Sequence, residues 1–160
     1  PAGLQDRSPE AVLQAASRWS NLELLAMAAG ICPRCSGPVT SEHRICEDHD
    51  AGEGLCRECH GRNRIRLDVA CTNCIFSGGG DVIIGLLAST PVLEFLLSHG
   101  ISPVSPAASH TFHRTVGDYE EELLATDPLR ARLRLTVDGE ALELTVDADL
   151  QIVDSVRTSA

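Results

Sequence analysis

The fold of this chain is decided by residues 32–74, which read CPRCSGPVTSEHRICEDHDAGEGLCRECHGRNRIRLDVACTNC. This stretch holds all seven cysteines of the chain, arranged as three C-x-x-C pairs and one C-x-x-H pair. Two residues between ligands let a tight turn aim both side chains at a single cation. The four pairs together offer Cys32, Cys35, Cys46, His49, Cys56, Cys59, Cys71 and Cys74.

Eight ligands are enough for two tetrahedral zinc ions, with no thiol left over. An odd number of cysteines and repeated C-x-x-C spacing are not typical of a disulfide framework. The spacing therefore predicts two structural zinc ions per chain. A closed shell of four protein ligands leaves no position for a reactive water molecule, so the pattern argues against a zinc hydrolase.

The four pairs can share two ions in more than one way. Residues 32–49 and residues 56–74 each contain a C-x-x-C-x-G turn, a spacer of hairpin length and a second pair of ligands. This internal repeat predicts tandem zinc ribbons, with one ion on Cys32, Cys35, Cys46 and His49 and the other on Cys56, Cys59, Cys71 and Cys74. The alternative is a RING-like cross-brace, in which one ion is shared by Cys32, Cys35, Cys56 and Cys59.

Residues 1–30 are predicted to form a helix ahead of the zinc region. Ser8 is a suitable N-cap and Pro9 fits the first helical position. Apolar residues recur at helical spacing and are expected either to pack on the domain or to form a homodimer through this helix. Trp19, the only tryptophan, is expected to anchor the core. The stripe consists of Leu13, Ala16, Trp19, Leu22 and Leu25.

Residues 31–77 are assigned to the zinc ribbons and residues 78–160 to an acidic α+β domain. The triplet Gly78-Gly79-Gly80 is expected to be a hinge or turn. Short helices are predicted at residues 81–88, 91–99 and 116–125. The tail alternates apolar and polar residues on either side of Asp138-Gly139, which is typical of a β-hairpin. The sequence thus predicts helices packed on an antiparallel β-meander, because a lone meander cannot bury its apolar face.

The charge is concentrated in one half of the chain. The net charge is −10, and residues 81–160 alone carry thirteen acidic residues and five arginines, a net −8. All 13 basic residues are arginine and aromatic residues make up 3%. This acidic, lysine-free composition resembles that of halophilic archaea, and it argues against nucleic-acid binding by this chain alone. No apolar run approaches the length of a membrane span, so a cytoplasmic protein is expected.

Arg62, Arg64 and Arg66 are a local exception to the acidity. An arginine face paired with the protein's own acidic residues is the preferred interpretation, and contact with phosphates is the alternative. The triplet Glu120-Glu121-Glu122 is interpreted as the solvated face of a helix. No pattern of nucleophile, base and acid stands out, so a non-enzymatic role is predicted.

Several motifs together resemble the C-terminal region of haloarchaeal transcriptional regulators related to the ArsR helix-turn-helix group. The resemblance covers residues 10–157 and implies a zinc-binding sensor or assembly module of a regulator. Members of that group carry a winged helix-turn-helix ahead of this region, and too few residues precede Cys32 to form one. The effector of such a module is not implied. The motifs are residues 18–23, 30–35, 46–50, 71–76, 119–122 and Asp127-Pro128.

Overall fold

The computed structural model of the chain describes residues 6–52, 54–105 and 109–159, with only the backbone of Ser109 and His110. It is a mixed structure of three α-helices and two antiparallel sheets. None of the helices in these ranges is long and apolar enough to cross a membrane. In chain order the elements are α1 Pro9–Ala28, β1 Val39–Ile45, β2 Ile65–Cys71, β3 Ser77–Asp81, a 3-10 helix Val82–Leu86, α2 Thr90–Ser98, α3 Ser109–Gly117, β4 Glu120–Thr126, β5 Leu129–Val137, β6 Glu140–Val146 and β7 Ile152–Ser159.

The first sheet has the order β1-β2-β3 and contains the glycine triplet predicted to be a hinge. That prediction is wrong, because Gly78, Gly79 and Gly80 pair with β2 as part of β3. The triplet permits a close approach of the two backbones. A Cβ on Gly79 would lie 2.7 Å from the carbonyl oxygen of Leu67. The predicted division after residue 77 therefore falls inside a strand.

The second sheet, in the order β4-β5-β6-β7, contains the predicted meander. Positive φ angles at Asp138 (48°) and Gly139 (80°) form the tight turn between β5 and β6. Alternate residues of β5 are buried while its arginines face outward, as the sequence pattern indicates. This confirms the apolar face of the meander, and the helices α2 and α3 contribute Phe95 and Phe112 to the same core.

The prediction of a helix at residues 116–125 is wrong. Helix α3 ends at Gly117, and the acidic triplet begins β4. The strand is favoured because Glu120 and Glu122 then stand opposite Arg134 and Arg132 on β5 and form ion pairs with them. The middle carboxylate of the triplet points to the other face of the strand.

Helix α1 begins where the sequence indicates, with the Ser8 hydroxyl accepting a hydrogen bond from the Ala11 N–H at 3.2 Å. The expectation that Trp19 anchors the core is wrong, since its side chain is 57% exposed. The buried contact of this helix is made instead by Asn21, whose amide donates to the Pro103 carbonyl at 2.6 Å. The apolar contacts of α1 with the core come from its last turns, at Leu24, Leu25 and Ala28.

Candidate metal centres

The first candidate centre brings together four cysteines from the two ends of residues 32–74. Their sulfur atoms all lie within 4.8 Å of one another. Sγ of Cys32 is 3.7 Å from Sγ of Cys74, and Sγ of Cys35 is 3.5 Å from Sγ of Cys71. Cys32 is buried and Cys35 is exposed, so the centre lies at the surface with one side covered. These four residues form centre A.

The second candidate centre comprises Cys46, His49, Cys56 and Cys59, whose ligand atoms also lie within 4.8 Å of one another. Nδ1 of His49 is 3.4 Å from Sγ of Cys59. The other ring nitrogen, Nε2, is 3.0 Å from the carbonyl oxygen of Arg62. A carbonyl can only accept, so Nε2 carries the proton and Nδ1 is free to bind a cation. These four residues form centre B.

This grouping corrects the pairing predicted from the internal repeat. The first ligand pair joins the fourth and the second joins the third, which is neither sequential ligation nor a cross-brace. The cause is the antiparallel pairing of β1 with β2, which aligns Val39 with Cys71 at one end and Ile45 with Ile65 at the other. The ligand pairs before β1 and at the end of β2 therefore meet in centre A. The ligand pairs after β1 and before β2 meet in centre B.

The repeated turns are nevertheless alike in detail. In each C-x-x-C-x-G turn the first cysteine donates its N–H to the glycine carbonyl, from Cys32 to Gly37 at 2.8 Å and from Cys56 to Gly61 at 3.0 Å. The residue before that glycine has a positive φ in both turns. At Gly37 a Cβ would lie 3.2 Å from Sγ of Cys35. The repeat therefore predicts the local turn correctly, although it does not predict which turns share a centre.

One cysteine in each centre has a lowered thiol pKa, which favours its thiolate form. Hydrogen bonds to its sulfur, first from the Gly37 N–H and then from Cys71, lower the pKa of Cys35 to about 6. Backbone N–H groups of Cys59 and Asp50 lower the pKa of Cys56 to about 6. Burial instead raises the pKa of the Cys46 thiol to about 11. Since a metal binds the thiolate, Cys35 and Cys56 are the ligands most ready to receive a cation at neutral pH.

The three arginines beside centre B are engaged within the chain. The Arg64 guanidinium donates to the carbonyl oxygens of Cys46, at 2.7 Å, and Glu47, at 2.8 Å. Arg66 forms an ion pair with Asp81, and Arg62 lies 3.5 Å from Asp118. Arg62 and Arg66 are thus paired with the protein's own acidic residues, as preferred from the sequence, whereas Arg64 is held by backbone carbonyl oxygens.

Glu121 is a connecting residue that the sequence analysis assigned to a solvated helix face. Its Oε1 accepts hydrogen bonds from the N–H groups of Arg64 at 2.8 Å and Ile65 at 3.0 Å. Burial raises the pKa of this carboxyl, and the two backbone hydrogen bonds oppose that rise. The side chain thus joins β4 of the second sheet to the start of β2, next to centre B. The sequence carries no alternation that would place it there, because residues 120–124 read Glu-Glu-Glu-Leu-Leu, and the alternation appears only in the burial pattern of β4.

We expect Glu121→Ala to lower the free energy of unfolding by about 1–3 kcal/mol, because two backbone N–H groups lose their acceptor. Glu121→Gln is the matched control, since its amide oxygen can still accept from both groups. We expect it to change stability by less than about 1 kcal/mol. Urea unfolding at pH 7 measures both variants. Equal losses for the two would contradict the role of the acceptor oxygen.

Away from the two centres, an open groove of about 760 Å³ lies between the end of α1, the start of α2 and the start of β7. Its walls carry small and polar residues, among them Ala28, Ser89, Thr90 and Ser155. The groove is lined by residues 28–29, 85–86, 88–91 and 150–155 and contains none of the eight candidate ligands.

Comparisons with known proteins place the chain in a family. It is 35% identical over 65 residues to the auxin transport protein BIG of Oryza sativa subsp. japonica, an alignment that covers 40% of this chain and 1% of that protein. The chain therefore spans a very small part of this relative. No solved structure matches the chain. The model of a domain of unknown function, DUF7351, matches residues 1–152, and the chain belongs to the DUF7351 family.

Proposed function

We propose that the chain binds two Zn²⁺ ions, one in centre A and one in centre B. The observation that carries this proposal is the convergence of eight Cys and His ligand atoms into two groups of four. Tetrahedral zinc with Zn–S bonds of ~2.3 Å requires sulfur atoms ~3.8 Å apart, and a sulfur and a histidine nitrogen ~3.6 Å apart. The spacings of 3.5 and 3.7 Å in centre A and 3.4 Å in centre B are close to these values.

The two ions would be structural. Each centre offers four protein ligands, which fill a tetrahedral shell and leave no site for substrate or a reactive water. The first sheet has little apolar core of its own, since β1 contains no fully buried residue. Bound metal would therefore supply the cross-links that hold this part of the fold together.

We further propose that this zinc-held unit is a non-catalytic sensor or assembly module of a cytoplasmic transcriptional regulator. Support comes from the resemblance to haloarchaeal ArsR-related regulators in residues 10–157. Because a net charge of −10 disfavours contact with DNA, a separate domain of the regulator would bind DNA. The groove beside α1 and β7 is the place where an effector would fit, because it is an open cavity of about 760 Å³ that lies outside both metal centres. A reading frame that continues upstream of Pro1 into a helix-turn-helix domain is the observation that would support this role.

A second candidate function is a zinc-stabilised protein-interaction adaptor. Apolar side chains project from the turns that hold the metal ligands: Ile75 is fully exposed, Leu55 is 60% exposed and Ile31 is 49% exposed. Contiguous apolar surface marks interaction sites, and Ile31 and Ile75 flank ligands of the same centre, centre A. The ligand groups are nested, meaning that the second and third pairs share one centre and the first and fourth pairs share the other. This grouping does not match a RING-like cross-brace, so the candidate carries no implication of RING activity. An upstream frame without any DNA-binding domain would favour it.

Metal content tests the zinc proposal directly. The chain purified without chelator is expected to contain two zinc ions in native mass spectrometry, and to release both when the protein is acid-denatured. Elemental analysis of the same sample identifies the metal. Fewer than two metal ions per folded chain, or iron in place of zinc, would refute the assignment.

A further inference from the structure

Helix α1 carries an apolar stripe that the described fold leaves partly uncovered. Its members recur at steps of three, four, three and four residues, the spacing of core positions in a two-stranded coiled coil. Trp19 is 57% exposed and Leu22 is 43% exposed, while the other three are partly exposed. The stripe, here called the α1 seam, consists of Val12, Ala15, Trp19, Leu22 and Ala26.

The seam is not the face that packs on the domain. The contacts of α1 with the core are made by Leu24, Leu25 and Ala28, together with the buried Asn21. At 3.6 residues per turn Leu24 and Ala28 point away from Trp19 and Leu22, and Leu25 lies at the border between the two faces. A second helix could therefore lie along the seam while the two domain bodies extend outward on opposite sides. The seam runs over 15 residues, or ~22 Å at 1.5 Å per residue.

The charges beside the seam indicate what lies on it. Arg18 precedes Trp19, and Glu23 follows Leu22, so they occupy the two flanking rows of the heptad pattern. They are five residues apart, the separation at which flanking residues meet across a parallel helix pair. Neither forms an ion pair within the described part of the chain, and Nε of Arg18 is buried with no hydrogen-bond partner there.

We propose that the occupant of the α1 seam is a second copy of this chain, in a parallel two-fold pair of α1 helices. Arg18 of each copy then faces Glu23 of the other, which gives two ion pairs by symmetry. An antiparallel pair would instead bring the two Arg18 side chains together near the Trp19 layer. The proposal specifies the partner in the assembly role proposed above, and it rests on that role but not on the metal centres.

Trp19 is the only tryptophan, so its fluorescence reports on the seam directly. We expect the full chain to dimerise with a dissociation constant of about 1–100 µM, as suits a small interface. Raising the concentration should shift the emission to shorter wavelength, in step with dimer formation in sedimentation velocity. Leu22→Glu should weaken the dimer at least tenfold, about 1.4 kcal/mol. Leu13→Glu is the matched control, because Leu13 is an apolar residue of α1 that is 69% exposed and off the seam.

Charge exchange tests the parallel orientation at the lowest salt that keeps the chain folded. Arg18→Glu and Glu23→Arg should each weaken the dimer severalfold, and the double variant R18E/E23R should restore it. Circular dichroism and zinc content of each sample show whether the fold and the metal centres are intact, so a failed dimer is distinguished from failed zinc binding. A folded chain that stays monomeric at ~500 µM, a Leu22→Glu variant that dimerises as well as Leu13→Glu, or a double variant weaker than both single variants would overturn the proposal.

Discussion

Removing the metal at neutral pH is expected to unfold residues 32–81 while the second sheet stays folded. Structural zinc contributes an apparent ~10–16 kcal/mol to the folding of zinc-finger peptides, which is comparable to the total stability of a whole domain. The first sheet has little else to hold it, since β2 alone contributes fully buried residues among its three strands. The second sheet has its own core, in which Leu133, Leu135, Leu142 and Leu144 are almost completely buried.

Amide hydrogen exchange before and after chelation measures this difference along the chain. We expect the amides of β1 and β2 to lose protection and those of β5 and β6 to retain most of theirs. Ile65 of β2 belongs to the shared core, so the second sheet should also become somewhat less stable. Restoring zinc should restore protection in β1 and β2. Full protection of β1 in the metal-free chain would show that the metal does not hold this sheet.

The second large effect concerns pairs of ligand substitutions. With nested centres, Cys32→Ser and Cys71→Ser remove ligands from the same ion, so the double variant should be barely less stable than either single one. Cys32→Ser combined with Cys46→Ser removes a ligand from each centre and should unfold the first sheet altogether. The contrast arises because a centre that has already lost its ion through the first substitution loses little further stability through the second.

Thermal unfolding of the four single variants and the three double variants, recorded with excess zinc, measures the coupling. The matched pair within centre B, C46S/C56S, provides the control and should behave as C32S/C71S does. Independent, additive losses for both matched pairs would contradict the nested grouping.

The candidate ligands and their turns could be predicted from the sequence because their spacing is a local property. Two intervening residues fix the turn, and the shared geometry of the turns at Cys32 and Cys56 follows from the C-x-x-C-x-G pattern. Which two turns share a centre is not determined by local sequence. It depends on the antiparallel register of Val39 with Cys71, which forms only when β1 and β2, separated by residues 46–64, come together. The internal repeat therefore indicated the wrong partners.

Two other errors have similar causes. Residues 120–126 contain good helix formers, and the strand is selected by pairing with arginines of β5 that lie beyond the next turn. Trp19 was expected in the core because tryptophan usually buries a large surface. The helix instead packs through Leu24, Leu25 and Ala28, whose positions near the end of α1 place them over the core. In both cases tertiary contacts override a preference that is correct on average.

The most direct test of the nested metal centres is the zinc content of the C32S/C71S variant. Both substitutions fall in centre A, so centre B should remain complete with Cys46, His49, Cys56 and Cys59. Native mass spectrometry is expected to find one zinc ion per folded chain. Sequential ligation and cross-brace ligation both assign Cys32 and Cys71 to different ions, so either would leave no complete site. A C32S/C71S chain that retains no zinc would contradict the nested grouping.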